Sequence, residues 1–107
     1  MFLKRSEQGY LPVLDKIRMK TLVHGDKTLM AEFCLEAGAM LPLHDHPHEQ
    51  TGYLVSGRMD LVVGDETWQL EPGDSWSIPG GVPHRAVAHL DSVAIEVFSP
   101  VREDYLV

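Results

Sequence analysis

The pattern that most constrains this fold is a period of two in the apolar residues, interrupted by turn residues at short intervals. In the segment 29–36, Leu29, Ala31, Phe33 and Leu35 share one face, and more polar residues such as Glu32 share the other. Successive side chains of a strand point to opposite faces, so this alternation predicts strands with one buried face. The segments 59–70 and 92–100 repeat the pattern, and no segment has a sustained helical period.

Glycine, proline and aspartate pairs punctuate these segments about every 8 to 12 residues, which is the spacing of short strands in all-β proteins. We therefore expect an all-β barrel or sandwich with almost no helix. The length of 107 residues suits one domain, and we expect a single domain over residues 1–107.

The net charge of −7 argues against nucleic acid and against an acidic membrane surface as partners, because both require a basic face. Cys34 is the single cysteine, so no intrachain disulfide can form, which fits a reducing compartment. The first ten residues lack the apolar core of a signal peptide, and no apolar run reaches the length of a membrane span. We expect a cytoplasmic protein.

Three of the six histidines, His44, His46 and His48, lie within one short stretch. Imidazole is the commonest protein ligand for first-row transition metals, and residues two apart in an extended chain point the same way. Pro47 offers a bend that could bring either His48 or Gln50 towards the same ion, but hardly both. A solvated polar loop is the alternative. Two glycine- and proline-rich turns follow, and they could fold His84 back against this loop.

At these positions the sequence resembles the cupins, which carry the motifs G-x5-H-x-H-x3,4-E-x6-G and G-x5-P-x-G-x2-H-x3-N. Eight of the ten motif positions match, and Gln50 and Ala88 stand where glutamate and asparagine are usual. The matching residues are Gly38, His44, His46, Gly57, Gly73, Pro79, Gly81 and His84.

The resemblance implies a double-stranded β-helix, a small jelly-roll barrel, with one divalent transition metal ion in its mouth. Its ligands would be His44, His46, Gln50 and His84. Nitrogen and oxygen ligands suit nickel, zinc, manganese, iron or copper, and do not choose among them. Because the Gln50 amide cancels none of the metal charge, we expect a stronger Lewis acid that favours anionic ligands. His48 would then be a pocket residue that contacts substrate.

The closing segment IEVFSPVREDYLV narrows the resemblance to the KdgF-type cupins of pectin and alginate breakdown, which linearise unsaturated uronates. That resemblance implies that Arg102 holds the substrate carboxylate, that Phe98 packs against the sugar ring and that Glu96 is the acid/base, where this group has aspartate. A solvent-facing Glu96 and an Arg102 paired with Glu103 or Asp104 are the alternatives.

Other side chains have simpler interpretations. Trp68 and Trp76 lie on predicted strands, where core packing is expected ahead of sugar stacking. Cys34 is expected to be a small buried residue, since no cationic neighbour in sequence activates its thiol. His24 and His89 match no motif and are expected at the surface.

Three functions are consistent with these features. The first is a metal-dependent isomerase or lyase-like enzyme that linearises or tautomerises an unsaturated uronate or a similar small acidic sugar. The second is a metal-dependent dioxygenase of the cupin type, and the third is a non-catalytic cupin that binds a small molecule through its metal. Small cupins commonly pair, and the apolar segment 10–23 could supply an edge or exchanged strand, so we expect a homodimer.

Overall fold

Ten antiparallel strands form almost all of the regular structure in the computed structural model, which describes residues 1–106. A single 3-10 turn at Glu103–Tyr105 is the one helical element among these residues, which confirms the expectation of almost no helix. The strands are β1 (Leu11–Leu14), β2 (Ile17–His24), β3 (Leu29–Leu35), β4 (Met40–His44), β5 (Glu49–Ser56), β6 (Met59–Val63), β7 (Glu66–Leu70), β8 (Ser75–Ile78), β9 (His84–Ala88) and β10 (Ser92–Ser99).

The strands form two sheets whose inner faces enclose the core. The larger sheet has the order β1-β2-β3-β10-β5-β8, and the smaller has the order β4-β9-β6-β7. The runs β3-β10-β5-β8 and β4-β9-β6 pair strands from distant parts of the chain, as in a jelly roll, where the strands cross repeatedly between two layers. The all-β, double-stranded β-helix fold predicted from the sequence is confirmed.

Residue alternation sets which side chains enter the core. Along β3, Leu29, Ala31 and Leu35 are buried and Met30 is exposed, as the period of two predicts. Along β10, every second residue from Ser92 to Phe98 is buried. The interior is therefore apolar over most of its length but includes the carboxyl group of Glu96, because Glu96 falls on the inward parity.

The N-terminal strand β1 lies at the edge of the larger sheet and pairs only with β2. Lys16, with φ of 63°, lies in the tight connection between these two strands. Leu11, Val13 and Leu14 expose much of their apolar surface on this edge. The predicted edge strand is confirmed, and the homodimer that it would support stays a prediction. Within residues 1–106, no helix has the length and hydropathy needed to cross a membrane.

The chain after β10 folds back towards the mouth of the barrel. Thr21 on β2 donates a hydrogen bond of 2.7 Å from Oγ1 to the carbonyl of Tyr105, which anchors this C-terminal segment. The Tyr105 ring packs edge-on against Phe98 and Phe33, with centroids 5.5 and 6.2 Å away. These contacts place Arg102, just before the 3-10 turn, over the site described next.

Candidate metal centre

Two of the site histidines are brought together by strand pairing alone. His44 is the last residue of β4, His84 is the first residue of β9, and the two are direct partners in the antiparallel register. Side chains of directly opposed residues lie on the same face of a sheet. Their ring centroids are 4.2 Å apart, and both rings face the larger sheet across the barrel mouth.

The third histidine lies in the loop between β4 and β5, and the turn between β8 and β9 fixes its position. The Gly81 amide donates a 2.8 Å hydrogen bond to the carbonyl of His46. Gly80 packs so closely against the carbonyl of Pro47 that a Cβ there would overlap it. The two glycine- and histidine-rich segments of the sequence therefore meet in space.

The structure brings the predicted ligands into one cluster. Ligand nitrogens of His44, His46 and His84 all lie within 4.8 Å of one another, close enough to hold one metal ion. Gln50 is buried on β5, and its Oε1 lies 3.0 Å from Nε2 of His46. The bend at Pro47 thus brings Gln50 into this group.

Hydrogen bonds to main-chain carbonyls orient the three rings and fix their tautomers. The Nδ1 atoms of His44, His46 and His84 lie 2.8, 3.0 and 2.9 Å from the carbonyl oxygens of Pro42, His48 and Val82. Because a carbonyl oxygen can only accept, each Nδ1 must carry the proton. Each neutral ring then presents its Nε2 lone pair to the centre of the cluster, which is the orientation that metal ligation requires.

The environment favours neutral rings with free lone pairs. Burial lowers the pKa of both His46 and His84 below the usual histidine value, and the nearby Arg102 charge lowers that of His46 further. Nε2 of His84 is buried and finds no hydrogen-bond partner in the described chain. Nε2 of His46 faces Gln50 Oε1, which places two lone-pair atoms 3.0 Å apart. A cation would satisfy both of these arrangements, so the residues fit a metal.

A buried carboxyl group lies next to this cluster. Glu96 on β10 is only 8% exposed, so the alternative of a solvent-facing residue is wrong. Burial raises the pKa of Glu96 to about 8, and the nearby polar hydrogens of Gln50 and Trp76 act in the opposite direction. Phe98, two residues further along β10, packs edge-on against the His46 ring at 5.8 Å. Glu96, His44 and His84 line one cavity of about 80 Å³.

Arg102 lines the same cavity but is already paired. Its Nε and Nη2 donate to the two carboxylate oxygens of Asp104 at 3.2 and 2.7 Å, which is the alternative that the sequence left open. Its guanidinium lies over the rings of Tyr105 and Phe98, with centroids 4.0 and 5.0 Å away, and its side chain is only 16% exposed. This hydrogen-bonded pairing lowers the pKa of Asp104.

The remaining residues singled out from the sequence lie around the site or away from it. His48 packs at a tilt beside His46 with ring centroids 5.7 Å apart, but it does not line the cavity. His89 is half-exposed and pairs with Asp60 at 3.0 Å, and His24 is half-buried at the end of β2. Cys34 is only partly buried, which corrects the expectation of a buried residue, because it shares the outer face of β3 with Glu32. Partial burial and the neighbouring Glu32 raise the pKa of its thiol, which is consistent with an unactivated cysteine.

Sequence reasoning missed two residues of the site. The sequence predicts core packing for Trp76, which is buried, but its indole also lines the cavity with Glu96. Tyr105 has no predicted role, and its ring lines the cavity beside Arg102. One signal for Trp76 was available in the sequence, because a glycine inside a strand, Gly52, often marks the close approach of a large side chain.

Comparison with known proteins gives four findings. The protein-family model described as "Cupin domain" (Cupin_2) matches residues 31–99. The pectin degradation protein KdgF of Dickeya dadantii is 31% identical over 94 residues, which cover 86% of each chain. Among solved structures, KdgF from a Halomonas species has a TM-score of 0.92 at 32% identity, with 97% of this chain and 96% of that chain covered. A cupin from Shewanella frigidimarina described as RmlC-like has the same TM-score at 27% identity, over 97% and 94% of the two chains.

Proposed function

The chain belongs to the cupin domain family, and from this premise we propose that it is a metal-dependent enzyme that linearises an unsaturated uronate or a similar small acidic sugar. The observation that carries the proposal is the meeting of three groups in one cavity. These groups are the convergent histidine lone pairs, a buried carboxyl and an arginine at the mouth. Together they offer sites for a cation, a proton and a carboxylate.

The relatives support this class of substrate. The Dickeya protein is named for pectin degradation, and pectin is a polymer rich in uronate residues. A uronate brings its own negative charge, which suits a site whose fourth ligand would be a neutral amide. A divalent ion held by His44, His46, His84 and Gln50 would supply Lewis acidity where negative charge develops on a substrate oxygen.

Each neighbouring side chain has a role that follows from its position. Glu96, buried beside the ligands, would take and return the proton, and a nearby cation would lower its pKa from about 8 and so favour the ionised base. Arg102 would receive the substrate carboxylate in place of Asp104, since its fork already binds a carboxylate in this geometry. Phe98 would pack against the sugar ring, and His48 would contact the substrate from the rim.

The reaction needs no redox partner, because it is an isomerisation. Glu96 would remove the proton of the anomeric hydroxyl, the bond between the anomeric carbon and the ring oxygen would break, and an aldehyde would form. The ring oxygen keeps the electron pair as an enolate. Return of the proton to the neighbouring alkene carbon then gives the open-chain keto acid, with no atom gained or lost.

The cavity of about 80 Å³ holds only a few water molecules, so it admits part of a monosaccharide in this conformation. We expect the carboxylate end of the sugar to remain at the mouth, where Arg102 and Tyr105 would have to shift to receive it. The segment that carries them is held to the barrel mainly by the Thr21 hydrogen bond and by ring contacts.

The test is direct turnover. Purified protein loaded with each candidate metal is incubated with unsaturated galacturonate, and loss of the ultraviolet absorbance of the alkene is followed with and without chelator. We expect loss of absorbance only with metal, and a decrease of about a hundredfold or more in Glu96→Gln. Glu49→Gln is a matched control, because Glu49 is an exposed carboxylate on the neighbouring strand β5.

Two outcomes would contradict the proposal in different ways. Consumption of dissolved oxygen with a substrate would favour the dioxygenase alternative. Binding of the uronate with no turnover, and with affinity unchanged in Glu96→Gln, would favour the non-catalytic alternative.

A further inference from the structure

Three directly opposed residues on neighbouring strands build the inner end of the cavity. Glu96 on β10 is the register partner of Gly52 on β5, and Gly52 is in turn the partner of Trp76 on β8. Gly52 has no side chain, and a Cβ there would overlap the indole atoms Nε1 and Cε2 of Trp76. The indole therefore lies across Gly52, with its N–H end directed towards the strand that carries Glu96.

Both polar groups at this end of the cavity lack a hydrogen bond of normal geometry. Within residues 1–106, Nε1 of Trp76 and Oε2 of Glu96 are buried side-chain atoms with no hydrogen bond of normal length and angle, and each residue is 8% exposed. The indole N–H nevertheless lies close enough to the Glu96 carboxyl group to lower its pKa. An unsatisfied buried donor or acceptor costs about 1–3 kcal/mol, so such atoms are rare in folded proteins. A metal explains the unpartnered Nε2 of His84, but an indole N–H cannot bind a cation.

The second tryptophan of the chain differs from Trp76 in this respect. Trp68 on β7 donates from Nε1 to Oε2 of Glu66 at 3.0 Å, so its N–H is satisfied at the surface. Trp76 and Glu96 instead present a donor and an acceptor, neither in a hydrogen bond of normal geometry, to one small cavity whose lining is mostly apolar.

We propose that Trp76 and Glu96 form a hydroxyl-binding subsite, in which one substrate hydroxyl accepts a hydrogen bond from the Trp76 indole and donates one to the Glu96 carboxyl group. A hydroxyl can donate and accept at the same atom, which neither a carboxylate nor an ammonium group can do. The subsite thus selects a polyhydroxylated acid over an acid that carries no hydroxyl. This inference rests on the proposed function for its substrate class, and it makes Trp76 a specificity-determining residue.

The first test reads the Trp76 indole directly in the wild-type protein. Protein labelled with ¹⁵N at its tryptophans and loaded with zinc, a diamagnetic ion, gives two indole N–H signals, which Trp68→Phe assigns. The probes are galacturonate and cyclohexanecarboxylate, which both carry a carboxylate on a six-membered ring but differ in hydroxyls. We expect galacturonate to move the Trp76 signal downfield, and cyclohexanecarboxylate to leave it in place.

The second test measures affinity by titration calorimetry. Trp76→Phe keeps an aromatic ring but removes the donor, so it should weaken galacturonate binding about tenfold, the loss of one buried hydrogen bond. It should leave binding of cyclohexanecarboxylate unchanged. Trp68→Phe is the matched control, and it should change neither affinity.

An unmoved Trp76 signal at saturating galacturonate would overturn the subsite. Two calorimetric results would also overturn it: a Trp76→Phe variant that binds galacturonate as tightly as the wild-type protein does, or a wild-type protein that does not bind galacturonate. The spectroscopic test needs no variant at position 76, so it stands even if Trp76→Phe folds poorly. The outcome is separate from that of the turnover test. Turnover with an unmoved signal refutes only the subsite, whereas a moved signal without turnover refutes only the reaction.

Discussion

At the scale of single residues, Gln50 has the clearest consequence for chemistry. It occupies the position where cupins usually have glutamate, and its amide oxygen lies 3.0 Å from His46 Nε2. An amide carries no charge, so a divalent ion at this site would keep its full attraction for an anionic ligand. Two unit charges about 4 Å apart interact by about 4 kcal/mol at an effective dielectric constant of about 20, so one added carboxylate matters.

We therefore expect Gln50→Glu to bind zinc more tightly and anions more weakly than wild type, the latter by tenfold or more. Competition with a chromophoric chelator measures the metal affinity. Titration of the cobalt-loaded protein with azide, followed in the visible spectrum, measures the anion affinity. Glu49→Gln, an opposite change of charge at an exposed neighbouring position, should alter neither. Unchanged azide affinity in Gln50→Glu would refute the charge argument.

Glu96 gives a second prediction at this scale, for the metal-free protein. Its pKa is about 8 in the folded state and 4.5 in an ordinary environment. Between these values the folded state binds one more proton than the unfolded state, so stability is highest at low pH and decreases as pH rises. The slope is at most about 1.4 kcal/mol per pH unit.

Urea denaturation of metal-free protein at a series of pH values measures this loss, with Glu96→Gln as reference. Burial lowers the pKa of His46 and His84, so protonation of these histidines at acidic pH destabilises the folded state. Both proteins share this effect, so the quantity to compare is the difference between their free energies of unfolding. We expect wild type to lose stability relative to Glu96→Gln from about pH 5 to pH 8. Parallel curves for the two proteins would show that Glu96 is not buried as described.

At the scale of strands and turns, Gly57 shows why a motif position is glycine. It lies in the connection between β5 and β6 with φ of 98°, and a Cβ there would overlap Ser92 Oγ. Ser92 Oγ in turn accepts the amide of Arg58 at 3.1 Å and donates to the carbonyl of Leu90 at 2.8 Å. The glycine therefore lets the turn pack against the start of β10, the strand that carries Glu96.

A non-glycine residue in the left-handed conformation costs about 1–2 kcal/mol. Gly57→Ala should lower the free energy of unfolding by more than this, because the added Cβ would also overlap Ser92. Gly64→Ala is the matched control, since Gly64 also has a positive φ, of 57°, but has no atom within 4 Å of the added Cβ. Urea denaturation of both variants gives the comparison. Equal losses in the two would mean that backbone conformation, and not the contact with Ser92, explains the glycine.

The strands themselves could be predicted from the sequence, but their register could not. Alternation is local, so the buried faces of β3, β6 and β10 follow directly from the residue order. The placement of Trp76 beside Glu96 depends on the pairing of β5 with β10 and on the pairing of β5 with β8. The first of these joins segments some forty residues apart, and no local pattern fixes either pairing. The cluster of candidate metal ligands could be predicted because motif spacing, together with the resemblance, supplied the long-range information that alternation lacks.

At the scale of the whole molecule, the candidate metal site draws its residues from both sheets. His44 and His84 come from the smaller sheet and Gln50 from the larger one, so a shared ion would link both layers and the loop that carries His46. A ligand that binds only the folded state stabilises it, by about 2.7 kcal/mol when its free concentration is a hundredfold above Kd.

We expect zinc to raise the thermal midpoint by roughly 10 °C or more in a domain of this size, and a chelator to reverse the change. Scanning calorimetry with and without zinc measures it. His84→Asn should lose the response, whereas His89→Asn, at the surface beside Asp60, should keep it. A response that survives in His84→Asn would place the binding site elsewhere.

The three main-chain carbonyls that hold the imidazole rings also determine which proton leaves when the ion enters. At His46 and His84, where burial lowers the pKa, the ring holds its Nδ1 proton against a carbonyl and already offers its other nitrogen, so these two have no proton to give up. Glu96, protonated in this range without metal, is the group that an incoming cation would ionise. Binding heats measured in buffers of different ionisation enthalpy should therefore reveal the release of close to one proton by wild type and of none by Glu96→Gln.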